Sequence, residues 1–231
     1  SGSGKSSLVR AGLLSVVRQQ ALPNSNMWIV ATMTPADDPF QGLAETLTEI
    51  AIQSSAPTAD ELRQSHRQLH HHLHKILPDD IDLFLLIDQF EEVFTIGDDE
   101  SNAHAFLMLL HYAITHDNSR LRLVITLRAD YYDRPLQHPQ FGELIREHTE
   151  VVLPLSDLAL EEIIVEPSLQ VGLAIEPALK MAILRDVSGQ HGALPLLQYA
   201  LSELYENRKG DNILTLQNYQ TLGGISGALS R

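Results

Sequence analysis

Apolar positions along the first two thirds of the chain follow two different patterns. Short, nearly continuous apolar runs fall within residues 27–33, 82–88, 121–128 and 150–155, and the densest, Trp28-Ile29-Val30 and Phe84-Leu85-Leu86-Ile87, leave no polar face. Such runs predict strands covered by helices on both sides, as in a parallel sheet. Between them Phe40, Leu43, Ala44, Leu47, Ile50 and Ala51 recur at helical spacing, as do Ala103, Phe106, Leu107, Leu110, Ala113 and Ile114. Each set predicts an amphipathic helix. Thr58-Ala59-Asp60-Glu61 has the spacing of a capping box and predicts a helix that runs on to about residue 77. Strands alternating with helices define an α/β fold built on a parallel sheet.

Beyond residue 155 the strand signals stop. Three helical segments are predicted, at 158–171, 176–187 and 196–207. Pro177 and Pro195 suit first-turn positions, where a missing N–H costs nothing, and Gly172 and Gly189 suit helix C-termini. Thr215 is placed to cap a last short helix. The pattern divides the chain into an α/β part at 1–155, a helical part at 156–209 and a further segment at 210–231.

Composition narrows the function classes. The 231 residues carry 44% hydrophobic and 20% charged side chains, the balance of an ordinary globular protein. With 16 Lys and Arg against 30 Asp and Glu the formal charge is −14, so a role in coating nucleic acid is disfavoured and no direct nucleic-acid partner is expected. The absence of cysteine removes disulfides, thiol nucleophiles and cysteine-ligated zinc, and is compatible with the cytoplasm, where the protein is expected. The longest apolar run, Leu83 to Ile87, falls far short of the roughly 18 residues of a membrane helix. The chain opens inside a Gly/Ser turn without an initiator Met, which reads as a segment of a longer protein.

That opening carries chemistry. Ser1-Gly2-Ser3-Gly4-Lys5-Ser6 matches the end of the phosphate-loop pattern G-x-x-x-x-G-K-[ST], and helical spacing begins right after Ser7 at Leu8. In such a loop, glycines let successive backbone N–H groups face a phosphate, the lysine supplies a point charge and the hydroxyl ligates Mg²⁺. Ser1, Gly2, Ser3, Gly4, Lys5, Ser6 and Ser7 are therefore candidate nucleotide contacts, and Ser6 is a candidate metal ligand. About 80 residues on, a buried strand ends at Asp88, the position where phosphate-loop proteins keep a second metal-holding group. Glu91 and Glu92 follow it, and either activate a hydrolytic water or form a solvated helix start. Arg128 closes the third apolar strand; it either reaches a γ-phosphate or pairs with Asp130 or Asp133. Histidines 66, 70, 71, 72 and 74 include i,i+4 pairs, but run beside Leu62, Leu69, Leu73 and Leu77 and read as a polar helix flank, not a metal site.

With these elements in order, the chain resembles the STAND class of signalling P-loop NTPases, and most closely the bacterial novel STAND NTPase family often joined to WD-repeat arrays. The resemblance rests on SGSGKSSLVRAGLL at the start, LLIDQFEEVFT at 85–95, TLRADYYDRP at 126–135, GALPLLQYALSELY at 192–205 and LTLQNYQTLGGISGAL at 214–229. It implies a nucleotide-binding α/β domain whose first strand lies upstream of Ser1, a small helical domain, and at 210–231 the start of a winged-helix domain. It further implies that Lys5 and Ser6 are the Walker A pair, Asp88 the Walker B acid, Arg128 a sensor-like arginine and Pro195 the proline that packs on adenine. The implied cofactors are ATP or ADP and Mg²⁺. The implied activity is slow ATP hydrolysis, because Gln89 stands where an acid next to Asp88 is usual. The implied role is a switch that opens and self-associates on activation, joined in one polypeptide to an upstream effector or sensor domain and a downstream WD-repeat or other repeat domain. Competing readings are an oligomeric motor or loader ATPase, and a P-loop interaction module that has lost nucleotide binding.

Overall fold

The computed structural model of the chain describes residues 4–95, 100–188, 193–208 and 212–227. The chain divides into two compact units, one spanning Ser6–Glu150 and one combining Val151–Arg231 with the residues up to Lys5.

In the first unit, β1 (Trp28–Met33), β2 (Asp82–Ile87) and β3 (Leu121–Ile125) form a parallel sheet in the order β1-β2-β3. Register runs from Trp28 opposite Asp82 to Met33 opposite Ile87, and from Leu83 opposite Leu121 to Ile87 opposite Ile125. β2 is thus the central strand, and its continuous apolar run follows from that position. Leu83, Leu85 and Ile87 enter one core with Phe40, Leu43 and Leu47 of the helix Pro39–Ile50 and with Phe106 and Leu110 of the helix Glu100–Thr115. Phe84 and Leu86 enter the core on the opposite face with Leu14 and Val17. The two-residue period of a strand sends alternate side chains to the two sides, and each fully buried Leu or Phe contributes about 1.5–3 kcal/mol of transfer free energy.

The phosphate-loop segment continues into helix as predicted: Lys5–Ser7 is α-helical, Leu8–Leu13 has π-helical bonding and Leu14–Arg18 returns to α. The capping box forms, with Thr58 Oγ1 accepting from the Glu61 amide at 3.3 Å and the Thr58 amide donating to Glu61 Oε2 at 2.7 Å. The single helix expected over 58–77 is instead two, Ala59–Arg63 and Gln68–Ile76. At the break, the Ser65 hydroxyl accepts from the Arg67 amide, the local competition by which serine interrupts a helix.

Two further expectations are corrected. Residues 150–155 form no strand: they lack regular structure, and Val151 and Leu153 are 73% and 71% exposed. An apolar run becomes a strand only where a ladder partner takes its backbone groups, and among the described residues this segment has none in the sheet. Conversely, strands do not stop at 155. In the second unit β4 (Ala174–Ile175) pairs in parallel with β5 (Ile213–Leu214), two-residue strands too short to show a period.

That unit is otherwise helical, with Asp157–Gln170, Pro177–Val187, Ala193–Glu206 and Leu216–Thr221 packed around Leu160, Ile164, Leu179, Ile183, Leu197, Leu204 and Tyr219. Pro177 and Pro195 occupy first turns, and Thr215 accepts from the Asn218 amide at 3.3 Å as the expected cap. Gly172 follows the first of these helices at φ +71° with open space around it, so conformation alone favours glycine there. Gly189, the other predicted helix end, lies outside the described residues. Among the described residues no helix is long and apolar enough to cross a membrane.

Candidate functional site

Because β1, β2 and β3 are parallel, their C-terminal ends share one edge of the sheet, the edge where open α/β sheets place ligands. The ladder runs one residue past the strands: the Asp88 amide donates to the Met33 carbonyl at 2.9 Å and the Thr126 amide to the Ile87 carbonyl at 3.0 Å. Asp88 and Thr126 are therefore held side by side. Gln89 then turns the chain with φ +56°, an unusual conformation for a side chain with a Cβ. In that conformation its amide donates to Asp88 Oδ1 at 3.1 Å and to Thr126 Oγ1 at 3.0 Å.

Asp88 is 1% exposed and its carboxylate is fully engaged. Oδ1 accepts from Thr126 Oγ1 at 2.5 Å and from Ser6 Oγ at 2.8 Å. Oδ2 accepts from Arg10 Nε at 3.0 Å and pairs with the same guanidinium's terminal nitrogen at 2.9 Å. Burial pushes the pKa of Asp88 up, but the Thr126 and Ser6 hydroxyls and the Arg10 charge outweigh it, leaving the group below its ordinary 3.8. It is ionised at neutral pH, and a hydroxyl and an ionised carboxylate in contact are a donor set suited to a hard cation such as Mg²⁺.

The structure thus brings together Ser6 and Asp88, 82 residues apart in sequence. Lys5 directly precedes Ser6 in the same helical turn, and Gly4, at φ +81°, has the left-handed backbone that glycine permits. Ser7 is exposed. Ser1, Gly2 and Ser3 lie outside the described residues.

Glu91 and Glu92 are directed to different strand exits. Glu91 Oε2 accepts from the Arg128 amide at 3.3 Å, after β3, whereas Glu92 Oε2 accepts from the Ala36 amide at 3.0 Å, after β1. The Arg128 side chain forks onto Asp130, with Nε to Oδ1 at 3.0 Å and a terminal nitrogen to Oδ2 at 2.6 Å. That pairing raises the pKa of Arg128 and lowers that of Asp130. In this structure Arg128 makes the surface pair that was one of its two readings. Pro195 lies exposed in the helix Ala193–Glu206 of the second unit. Among the described residues no group of three or more His, Asp or Glu is arranged to hold a metal ion.

Two members of the site escaped the sequence. Thr126 has no signal of its own in the sequence beyond opening the segment that holds Arg128. Arg10 had a usable signal: it is four residues after Ser6 in a helical segment, and side chains at i and i+4 share a face.

Fold and site together define the P-loop NTPase class. The model of one family, Novel STAND NTPase 1, matches residues 1–231, and the chain belongs to that family. Among solved structures it is similar to the Aeropyrum pernix ORC2 protein in its ADP form, with a TM-score of 0.63 and 17% identity. The match covers 100% of this chain and 59% of that one; at such identity it speaks for the fold alone. No curated protein sequence matches the chain.

Proposed function

We propose that the chain is the nucleotide-binding core of a signalling switch, which holds ATP or ADP with Mg²⁺ and hydrolyses ATP slowly. The observation that carries this reading is the 2.8 Å contact between Ser6 and Asp88, the two groups a phosphate-loop site needs beside one cation. In this reading Gly4 and Lys5 cradle the phosphates, and Ser6 and Asp88 hold Mg²⁺, which when bound neutralises charge on the phosphate oxygens. The ADP form of the similar ORC2 protein favours an adenine nucleotide.

Slow hydrolysis is the expectation because both nearby carboxylates are committed elsewhere. Glu91 and Glu92 each accept from a backbone amide, and one must be released before it orients water. Arg128, paired with Asp130, is likewise available to a γ-phosphate only after that pair opens. A γ-phosphate able to take Arg128 makes contacts that ADP cannot, and this differential contact is what a nucleotide switch requires. The helical domain at 156–209 would place Pro195 on the adenine, and 210–231 would begin a winged-helix domain. Sensor, effector and WD-repeat parts of the same polypeptide would convert opening into self-association.

The test is to purify the full-length protein, denature it and identify released nucleotide. ADP in near-equal amount is expected. Lys5→Ala should empty the site, and Asp88→Asn should keep nucleotide while losing Mg²⁺-dependent turnover. A folded protein that releases no nucleotide and fails to bind added ATP with Mg²⁺ refutes the proposal.

A further inference from the structure

Arg10 occupies the side of Asp88 that the hydroxyls leave open. Thr126, Ser6 and the Gln89 amide all converge on Oδ1, while Oδ2 meets the Arg10 guanidinium through two nitrogens at 3.0 and 2.9 Å. The Asp88 side chain is 2% exposed and that of Arg10 55%, so the guanidinium lies on the solvent side of the carboxylate. It reaches there from the π-helical stretch Leu8–Leu13, one turn beyond Ser6. Single π turns inside helices recur at functional sites.

A guanidinium is charged at every accessible pH and donates from a rigid fork. With it in place, Asp88 is neutralised by a cation that the chain itself supplies. A hydrated divalent cation approaching Ser6 and Asp88 meets an oxygen already occupied and a like charge beside it. We propose that Arg10 is a tethered counter-cation of Asp88 that competes with Mg²⁺ and keeps the nucleotide-free site from capturing the metal. Phosphates relieve the competition in two ways, by bringing negative charge to the cation and by offering the guanidinium another partner. Metal capture is thereby tied to nucleotide arrival. Arg10 acts through Asp88 and is a positioning residue. The inference rests on the nucleotide-switch reading for the role of the cation, while the competition itself is measurable without nucleotide.

The experiment titrates Mn²⁺, followed by loss of its free electron paramagnetic resonance signal, into full-length protein stripped of nucleotide. Wild type, Arg10→Met, Arg10→Gln and Arg10→Lys are compared, each alone and combined with Asp88→Asn, with folding checked by circular dichroism. For a half-exposed pair screened by water, Arg10→Met and Arg10→Gln should bind Mn²⁺ at least about fivefold more tightly than wild type. Arg10→Lys should stay near wild type, and the gain should vanish with Asp88→Asn. Two uncharged variants are included so that misfolding of one does not remove the test. Unchanged or weaker Mn²⁺ binding in the folded uncharged variants overturns the proposal, as does a gain that persists without Asp88. Binding of ADP with Mg²⁺ by wild type is scored on separate, chelator-free aliquots: failure there sinks the nucleotide reading, and a fivefold Mn²⁺ gain in the nucleotide-free aliquots still upholds the competition.

Discussion

Thr126→Val probes the site through a hydroxyl that is buried and shared between two partners. Thr126 is 5% exposed; its Oγ1 donates to Asp88 Oδ1 at 2.5 Å and accepts from the Gln89 amide at 3.0 Å. Valine keeps the shape, so no cavity forms, and the Gln89 amide retains Asp88 Oδ1 at 3.1 Å. Two hydrogen bonds are lost, and since the Gln89 amide keeps its other acceptor, the cost is dominated by the one to the buried ionised carboxylate, about 2 kcal/mol. For a domain of this size that lowers the melting midpoint by roughly 4–8 °C. Thr126→Ser keeps the hydroxyl and removes only a methyl group, and should cost about 0.8 kcal/mol. The pH dependence adds a second constraint. The folded pKa of Asp88 is depressed below 3.8, so its contribution is present above that value and is lost as pH falls through the folded pKa. The gap between wild type and Thr126→Val should therefore be full at pH 7 and narrow below about pH 4. Urea denaturation at both pH values measures it. A Thr126→Val protein as stable as wild type at pH 7, or a Thr126→Ser protein as weakened as Thr126→Val, refutes the account of how Asp88 is held ionised.

Two other predictions concern stability outside the site. His70 is packed against His74, Tyr112 and His116, with ring centroids 4.6, 5.9 and 4.2 Å away, and burial followed by the charges of His116, His74 and His71 lowers its pKa from 6.5. The unfolded chain then takes up the proton first, so stability should fall as pH drops below about 6.5, and His70→Gln should flatten the melting temperature between pH 7 and pH 5; an unchanged slope counts against it. Thr58→Ala removes the cap of Ala59–Arg63 and should cost about 1 kcal/mol by urea denaturation, with Thr58→Ser near neutral; equal loss in both variants would show that the hydroxyl is not the stabilising group.

Much of this protein was legible because the responsible forces act over a few residues. The run Phe84-Leu85-Leu86-Ile87 names a strand buried on both faces, Thr58 with Glu61 names a helix start, and Gly4-Lys5-Ser6 names a turn into a helix. Each depends on backbone preference and on the period of side chains along one segment. Asp88 could be chosen as a site residue for the same reason, since it ends its strand.

Which groups meet is settled by contacts between segments far apart in the chain. Residues 150–155 carry an apolar run like the other strands, yet a strand exists only where a second backbone completes its hydrogen bonds, and that partner is not written in the segment. Glu91 and Glu92 are adjacent and chemically alike, but one is drawn to the Arg128 amide and the other to the Ala36 amide. Thr126 and Arg10 became part of the site because parallel register sets Thr126 beside Asp88 and the first helix carries Arg10 over it. Local pattern is enough to give the segments and the chemical types available at their ends. The convergence of Ser6, Arg10 and Thr126 on one buried carboxylate is long-range, since apart from the neighbouring Gln89 amide the donors that offset the cost of burying that charge come from distant parts of the chain.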